Sequence, residues 1–440
     1  MMCERRLPLT AEKRFRKLRE ADKMSQTEMG VIIFTNASMV SKAETGENKY
    51  TKEQVAILKK HFKLGDAPFF EDEYNAYHQR FALWREATRE GRTHEANEWK
   101  KKLAPILKLE FCEPELCTLY RLNEILQMQC ENNNERARSY LSSIQDILDS
   151  LNDENKFHYN CRMGYLLTNR NETELSLKSY QAAFDLKYSS EYITDNDRDT
   201  LYVAISNRYT DLERSNLALL FLNKLDIARI SPEKRVTISH LSINLSFAFN
   251  YARSFVFGEA ERLLKICYIQ ATSLGAKLYI ELVMFNFGLL YRYQKHWKIA
   301  NEYFDKTLAL IDNKSDLYAW ALYLKAICLI ELNETEKAKD VYNTLKSLQN
   351  KNETQEVLVG TLKNIMMMEK YSTKFDSSII DYLENVSIPY FIDSANSLEA
   401  VNCYKLIEKY YDSTQKQTKR IAVSVKIREI YERLFFNGDE

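Results

Sequence analysis

The sequence is poor in residues that break helices, with 10 glycines and 6 prolines among 440 residues. Folds built from strands need frequent turn residues, so this scarcity favours an all-α protein. Long apolar runs are also missing, because Glu281, Asn286 and Lys325 interrupt the longest ones, and none reaches the roughly 20 residues of a membrane helix. The first residues, MMCERRLPLTAEKRFRK, lack the apolar segment of a signal peptide. We therefore expect a cytoplasmic protein with no membrane contact.

Motifs for metal binding and catalysis are missing as well. The eight cysteines are scattered, with no CxxC pair or Cys/His cluster at ligand spacing, which is typical of buried thiols in a reducing compartment. The six histidines are dispersed, and none lies beside a nucleophile at motif spacing. We therefore expect no metal, no cofactor and no enzymatic activity.

Large side chains and an uneven charge distribution are what the sequence has instead. The 28 tyrosines and 21 phenylalanines suit stacked helices, and a chain of this length is too long for one hydrophobic core. The net charge is zero, but residues 1–64 contain 14 Lys and Arg against 8 Asp and Glu. A basic unit at the N-terminus is what attraction to a phosphate backbone requires.

Capping signals divide this basic unit into four short helices. Ser25 and Glu28 form a capping box, in which the hydroxyl accepts from the Glu28 amide and the carboxylate reaches back. The predicted N-caps are Thr10, Ser25, Asn36 and Thr51, and the predicted C-terminal glycine is Gly46. Four short helices with a tight turn between the second and third predict a helix-turn-helix.

Residues 18–46, which read LREADKMSQTEMG and then NASMVSKAETG around a short turn, resemble the XRE/Cro-type repressor domain. The resemblance implies a DNA-binding domain over residues 1–66, in which Arg19 and Glu44 form an ion pair between the first and third helices. It also implies a surface that contacts the DNA backbone and the major groove. The implied DNA-binding residues are Gln26, Asn36, Ala37, Ser38, Ser41 and Lys42.

Three residues near the turn depart from the pattern of that family. Gly30 replaces the usual Ala, Phe34 the usual Gly, and Thr35 a small aliphatic residue. We expect Gly30 to be harmless for packing but to weaken its helix by up to ~1 kcal/mol. Phe34 would be strained at a position that often needs a positive φ. Either the turn differs, or the preceding residue absorbs the change.

Beyond Pro68, helical stretches recur in pairs roughly every 40 residues. The best unit contains Gly288, which lets the paired helix approach, and Tyr291, Ala300 and Phe304, which fill the seam. This spacing matches the second half of the tetratricopeptide motif. After a linker at 67–73, we therefore predict a right-handed superhelical array of tetratricopeptide-like hairpins over 74–440. The predicted pairs begin near residues 74, 113, 155, 195, 233, 277, 316, 354 and 394.

One asparagine recurs on each of four successive inner helices of this array. The four are Asn169, Asn207, Asn250 and Asn286. A carboxamide both donates and accepts, so the ladder suits the backbone of an extended peptide. Arg253 or Arg292 could bind the terminal carboxylate of the peptide. Phe285 and Tyr293 could contact its apolar side chains. The alternative is that these amides bridge neighbouring repeats.

An XRE-type head followed by such repeats resembles the RRNPP family of Gram-positive regulators and their phage-encoded arbitrium relatives. The resemblance implies a homodimer that binds double-stranded operator DNA and is switched by a short signalling oligopeptide held in the concave groove. Two alternatives remain open. One is a repeat module that acts on a response-regulator protein, and the other is a repeat scaffold that does not bind DNA.

Overall fold

Regular secondary structure in the computed structural model is helical throughout the described residues, with no strand among them, which confirms the all-α prediction. The described residues are 9–111, 113–225, 238–348, 352–370 and 377–435. Within these ranges, no helix is both long and apolar enough to span a bilayer. The same ranges contain no group of His, Cys, Asp and Glu side chains that could hold a metal ion.

The chain divides into two compact units, one ending at Leu201 and one beginning at Tyr202. The first unit starts with four short helices, whose caps confirm the predicted start and stop signals. Asn36 Oδ1 accepts from the Met39 amide at 2.9 Å, and Gly46 ends the third helix with a φ of 91°. The helices are α1 (Ala11–Ala21), α2 (Gln26–Ile32), α3 (Ala37–Thr45) and α4 (Lys52–His61).

The turn between α2 and α3 places Phe34 in the left-handed region. Its φ is 56°, so neither a different turn nor the preceding residue removes the strain, and its side chain is 87% exposed. Gly30 lies against the same turn, since a β-carbon there would be 3.0 Å from the Thr35 carbonyl oxygen. Gly30 therefore also has a packing role, because an alanine here would require the turn to move by a few tenths of an ångström.

The four helices share their core with the segment that follows them. Phe15 of α1 stacks on Phe69 with ring centroids 4.4 Å apart, and Arg14 Nη1 donates to the Pro68 carbonyl at 2.6 Å. Ala67 is buried as well, so part of the stretch expected as a linker is packed against α1. The domain boundary at residue 66 stays a prediction.

Helical hairpins make up the rest of the first unit, and α11 runs across the division into the second. The helices are α5 (Glu71–Arg89), α6 (Thr93–Leu103), α7 (Pro114–Cys130), α8 (Asn134–Gln145), α9 (Asp153–Thr168), α10 (Thr173–Asp185) and α11 (Asp195–Asp211). Their starts lie within a few residues of those that the repeat pattern predicts.

The second unit continues the hairpins to Phe435, with starts within a few residues of the predicted 277, 316, 354 and 394. Its helices are α12 (Ser215–Leu222), α13 (Ile238–Arg253), α14 (Phe257–Ser273), α15 (Lys277–Tyr293), α16 (Trp297–Leu310), α17 (Asp316–Glu331), α18 (Thr335–Ser347), α19 (Glu353–Lys370), α20 (Ser377–Tyr382), α21 (Ile388–Asp393), α22 (Ser397–Ser413) and α23 (Gln417–Phe435). The predicted start near residue 233 lies outside the described residues.

Small residues set the distance between paired helices, as the sequence predicted for Gly288. A β-carbon on Gly288 would lie 2.5 Å from the Phe304 ring, and one on Gly164 would lie 2.7 Å from the Tyr180 ring. The aromatic ring of the second helix therefore occupies the space that a side chain on the first would need.

We predict that Phe34→Gly stabilises the protein by about 0.5–1 kcal/mol, because glycine adopts a positive φ without the clash of a β-carbon. The gain is reduced by the greater freedom of glycine in the unfolded chain. Urea unfolding followed by circular dichroism measures the change. Phe34→Ala is the control, since it removes the exposed ring but keeps the strained β-carbon; equal gains in both variants would show that strain is not the cause.

Candidate functional site

Helix α3 presents one face to the core and the other to solvent. Val40, Ala43 and Glu44 are buried. Of the predicted DNA-binding residues on this helix and its cap, Asn36, Ser38 and Lys42 are exposed, whereas Ala37 and Ser41 are half-buried. Lys42 forms no ion pair with the described residues, so its charge is available to a ligand. Asn36 uses its side-chain oxygen to cap α3, which leaves its amide donors free.

The orientation of α3 is fixed by the Glu44 carboxylate. Arg19 donates from Nε to Glu44 Oε1 at 2.6 Å and from Nη2 to Oε2 at 2.9 Å, and this bonding raises the pKa of Arg19. Arg19 Nη1 also donates to the Met24 carbonyl at 2.8 Å. Gln26, which the resemblance predicts to contact DNA, donates from Nε2 to Glu44 Oε2 at 2.9 Å. One of its two side-chain N–H groups is therefore used inside the protein.

The asparagines of the predicted peptide ladder lie in different surroundings. Asn169, in the first unit, is exposed and donates to Asn134 Oδ1 at 3.3 Å. Asn207 and Asn286, in the second unit, are half-buried. Asn286 Nδ2 donates to the Leu282 carbonyl at 2.8 Å, whereas the Asn207 amide forms no hydrogen bond with the described residues.

Asn250 is completely buried and already satisfied. Its Nδ2 donates to Thr210 Oγ1 at 2.9 Å and to the Ser246 carbonyl at 2.9 Å. Thr210 lies one repeat earlier in the sequence, so this amide joins neighbouring repeats. The bridging alternative therefore describes Asn250, and the ladder does not offer four free amides.

The two arginines expected to take a peptide carboxylate are buried and paired with carboxylates of the chain. Arg253 contacts Glu213. Arg292 Nη1 lies 2.7 Å from Glu399 Oε1 and its Nη2 lies 2.9 Å from Oε2. Breaking such a pair would leave a buried charge, so neither arginine is a free carboxylate ligand in this structure.

Glu213 and Glu399 belong to a polar cluster that the sequence analysis missed. The Ser397 amide, at the start of α22, donates to Glu213 Oε1 at 2.9 Å. Arg253 Nη2 donates to the Ala395 carbonyl at 3.1 Å. Contacts one repeat apart, such as that between Arg253 and Glu213, follow the repeat spacing and could have been found from it. The contacts with α22 join residues more than 100 positions apart, and the repeat spacing does not predict them.

The aromatic residues expected to hold apolar side chains are half-buried. Phe285 lies edge-on to Phe304 with centroids 6.0 Å apart. Tyr293 lies edge-on to Phe255 with centroids 6.5 Å apart, and burial raises the pKa of Tyr293. Each therefore already contributes to packing between helices.

No protein-family model and no curated protein matches the sequence. Solved structures do match. The apo quorum sensor NprR from B. thuringiensis is 17% identical and superposes over 80% of this chain and 98% of its own, with a TM-score of 0.59. The Rap protein complexed with Competence and Sporulation Factor is 13% identical and covers 82% of this chain and 99% of its own, with a TM-score of 0.60.

This chain has the fold of NprR and the Rap proteins. A second NprR structure, in complex with its cognate peptide NprX, is 17% identical and gives a TM-score of 0.56 over 79% of this chain and 98% of its own. The resemblance to RRNPP regulators that the sequence suggested is therefore confirmed at the level of the fold.

We predict that Glu44→Gln weakens the packing of α1 against α3 by about 1.5–3 kcal/mol, because charge-assisted hydrogen bonds from Arg19 are lost. Hydrogen exchange of the α1 and α3 amides measures the loss. Glu259→Gln is the matched control, since Glu259 is half-exposed and pairs with Arg262 on the surface, where such a pair is worth at most about 1 kcal/mol. Glu20 is unsuitable as a control, because it lies 3.7 Å from Arg19 Nη2. Equal effects of the two variants would contradict a structural role for Glu44.

Proposed function

We propose that this chain is a regulator controlled by a short peptide and that it binds double-stranded DNA through its N-terminal helices. The observation that carries the proposal is the repeat fold. About four-fifths of the chain superposes on the quorum sensor NprR and on a Rap protein solved with Competence and Sporulation Factor. Such arrays offer an extended concave surface to linear ligands.

The DNA-binding half of the proposal is supported by the surface of α3 and by charge. The Arg19–Glu44 pair holds α3 so that Ser38 and Lys42 face solvent, and residues 1–64 carry an excess of basic side chains. A hydroxyl can read base edges, and a lysine can contact either a base or a phosphate. A homodimer would present two such helices to two half-sites.

We predict that Lys42→Glu weakens binding to duplex DNA from the promoter of the protein's own gene by at least about tenfold, because attraction to the DNA becomes repulsion. Fluorescence anisotropy at fixed salt measures the change. Lys298→Glu is the control, since it makes the same charge change at an exposed position of the second unit.

Unchanged affinity in Lys42→Glu would rule out α3 as the recognition helix. If the unmodified protein does not bind DNA at all, the DNA-binding half of the proposal is wrong. The alternative that the chain acts on a response-regulator protein would then be the better one, and a Rap protein shares the fold.

For the peptide, we propose contacts through the asparagines that retain free hydrogen-bonding groups. With respect to the described residues, Asn207 has its whole side-chain amide available, and Asn286 retains its oxygen and one N–H. Phe285 and Tyr293 offer partly exposed aromatic surface near Asn286 in sequence. Asn250, Arg253 and Arg292 are assigned to the structure of the repeats rather than to the ligand.

We predict that Asn207→Ala leaves folding intact and lowers peptide affinity by about 1–3 kcal/mol, because a buried peptide group loses its partner. Calorimetry with the peptide encoded in a small reading frame beside the gene tests this. The matched control is Asn223→Ala, which removes an exposed amide after α12. Full affinity in both Asn207→Ala and Asn286→Ala would move the peptide site elsewhere.

A further inference from the structure

Three arginines of the first unit interact with one buried carboxylate, that of Asp197. Arg85 and Arg89 lie on α5, one helical turn apart, and Arg162 lies on α9. Arg85 is 1% exposed and Arg162 is 5% exposed, while the Arg89 side chain is 16% exposed. None of these residues belongs to the surfaces assigned above to DNA or peptide.

A single carboxylate, that of Asp197 at the start of α11, bonds directly to this cluster. It accepts from Arg85 Nε at 3.1 Å, from Arg85 Nη2 at 2.9 Å and from Arg89 Nη2 at 2.7 Å. The Thr194 amide and hydroxyl also donate to Asp197 Oδ2, at 3.2 Å and 2.8 Å. Although burial acts in the opposite direction, Arg85 and Arg89 hold the pKa of Asp197 well below its usual value.

Because a carboxylate has about four acceptor positions, five donors saturate Asp197 and leave other arginine donors unsatisfied. Among the described residues, Arg85 Nη1, Arg89 Nε, and both Nε and Nη2 of Arg162 are buried without a hydrogen-bond partner. Fully buried donors of charged groups are costly when unpaired. These donors therefore lack an acceptor in the part of the chain that the structure describes.

The charge within the cluster is also unbalanced. Two guanidinium groups share the Asp197 carboxylate, and Arg162 forms no ion pair with the described residues. Burial, with repulsion from Arg89, lowers the pKa of Arg162 only to about 10, so its guanidinium stays charged at neutral pH. His158, also buried in the cluster, adds no charge, because burial and then Arg85 lower its pKa well below the usual value. Neither ring nitrogen of His158 has a hydrogen-bond partner among the described residues.

A route from solvent reaches the edge of the cluster. A cavity of about 360 Å³ is lined by Arg89, Thr194, Asn196 and Gln79, with Glu86 also on its wall. Arg89 and Thr194 are direct partners of Asp197. The cavity therefore brings solutes up to the arginine whose Nε lacks an acceptor.

We propose that the arginine cluster of Arg85, Arg89 and Arg162 is a binding site for a small oxyanion, either phosphate or carboxylate, in the first unit. Guanidinium groups present planar pairs of N–H donors that match two oxygens of such an anion. A bound oxyanion supplies both the missing acceptor and the missing negative charge. The neutral His158 ring contributes one further N–H donor.

Isothermal titration calorimetry of the full chain with inorganic phosphate or with acetate, at an ionic strength held constant with chloride, tests this site. We expect one bound anion per chain and a Tm that rises with its concentration, since a ligand that binds the folded state stabilises it. Binding of phosphate alone identifies a phosphoryl ligand, and binding of acetate identifies a carboxylate ligand.

Arg89→Gln and Arg162→Met should each lower this affinity about tenfold, the equivalent of one charge-assisted hydrogen bond. Arg138→Gln, an exposed arginine on α8 of the same unit, should bind as the unmodified protein does. Arg162→Met should also raise the Tm without anion, because it removes an uncompensated buried charge.

Two results would overturn the proposal. The first is the absence of both heat and a Tm shift with either anion in the unmodified protein, which would make the arginines a purely structural network around Asp197. The second is full anion affinity in Arg89→Gln, a variant at the partly exposed edge of the cluster that is expected to fold even if Arg162→Met does not.

Discussion

The architecture depends on how closely the two helices of each hairpin approach. At Gly164 and Gly288 an aromatic ring of the second helix lies where a β-carbon of the first would be. This contact brings the backbones together and buries large rings such as Phe304. Within a unit, polar side chains on the inner helices then meet partners on neighbouring repeats, as Asn250 meets Thr210.

Buried arginine–carboxylate pairs are the second recurring element. Arg19 holds α3 in the N-terminal helices, and in the second unit Arg292 joins α15 to Glu399 of α22. Replacing such a pair by apolar residues often costs no stability, whereas removing one partner is expensive. These two pairs therefore make the packing specific, and the charges of Arg19 and Arg292 are already matched by a carboxylate of the chain.

Residues of the same type differ in whether the protein itself already supplies a partner for the side chain. Those with a partner are structural, and those without one are available to a ligand. Asn250 is buried between repeats, whereas Asn207, of the same residue type on the preceding inner helix, forms no side-chain hydrogen bond with the described residues. Arg292 has a carboxylate for its charge, whereas Arg162 does not. Residue type alone cannot distinguish these cases, because the distinction lies in whether a neighbouring element supplies a partner.

Features with a local cause can be predicted from the amino-acid sequence. The Ser25–Glu28 capping box and the starts of the hairpins need only contacts a few residues apart, and the Gly288–Phe304 seam lies within one repeat. Tertiary structure alone decided which buried charges are neutralised. Glu399 meets Arg292 from 107 residues away, across helices whose relative positions depend on the packing of every repeat between them. Hydrophobic periodicity carries no information about such a pair, since it sets which face of a helix is buried but not which polar group it meets there.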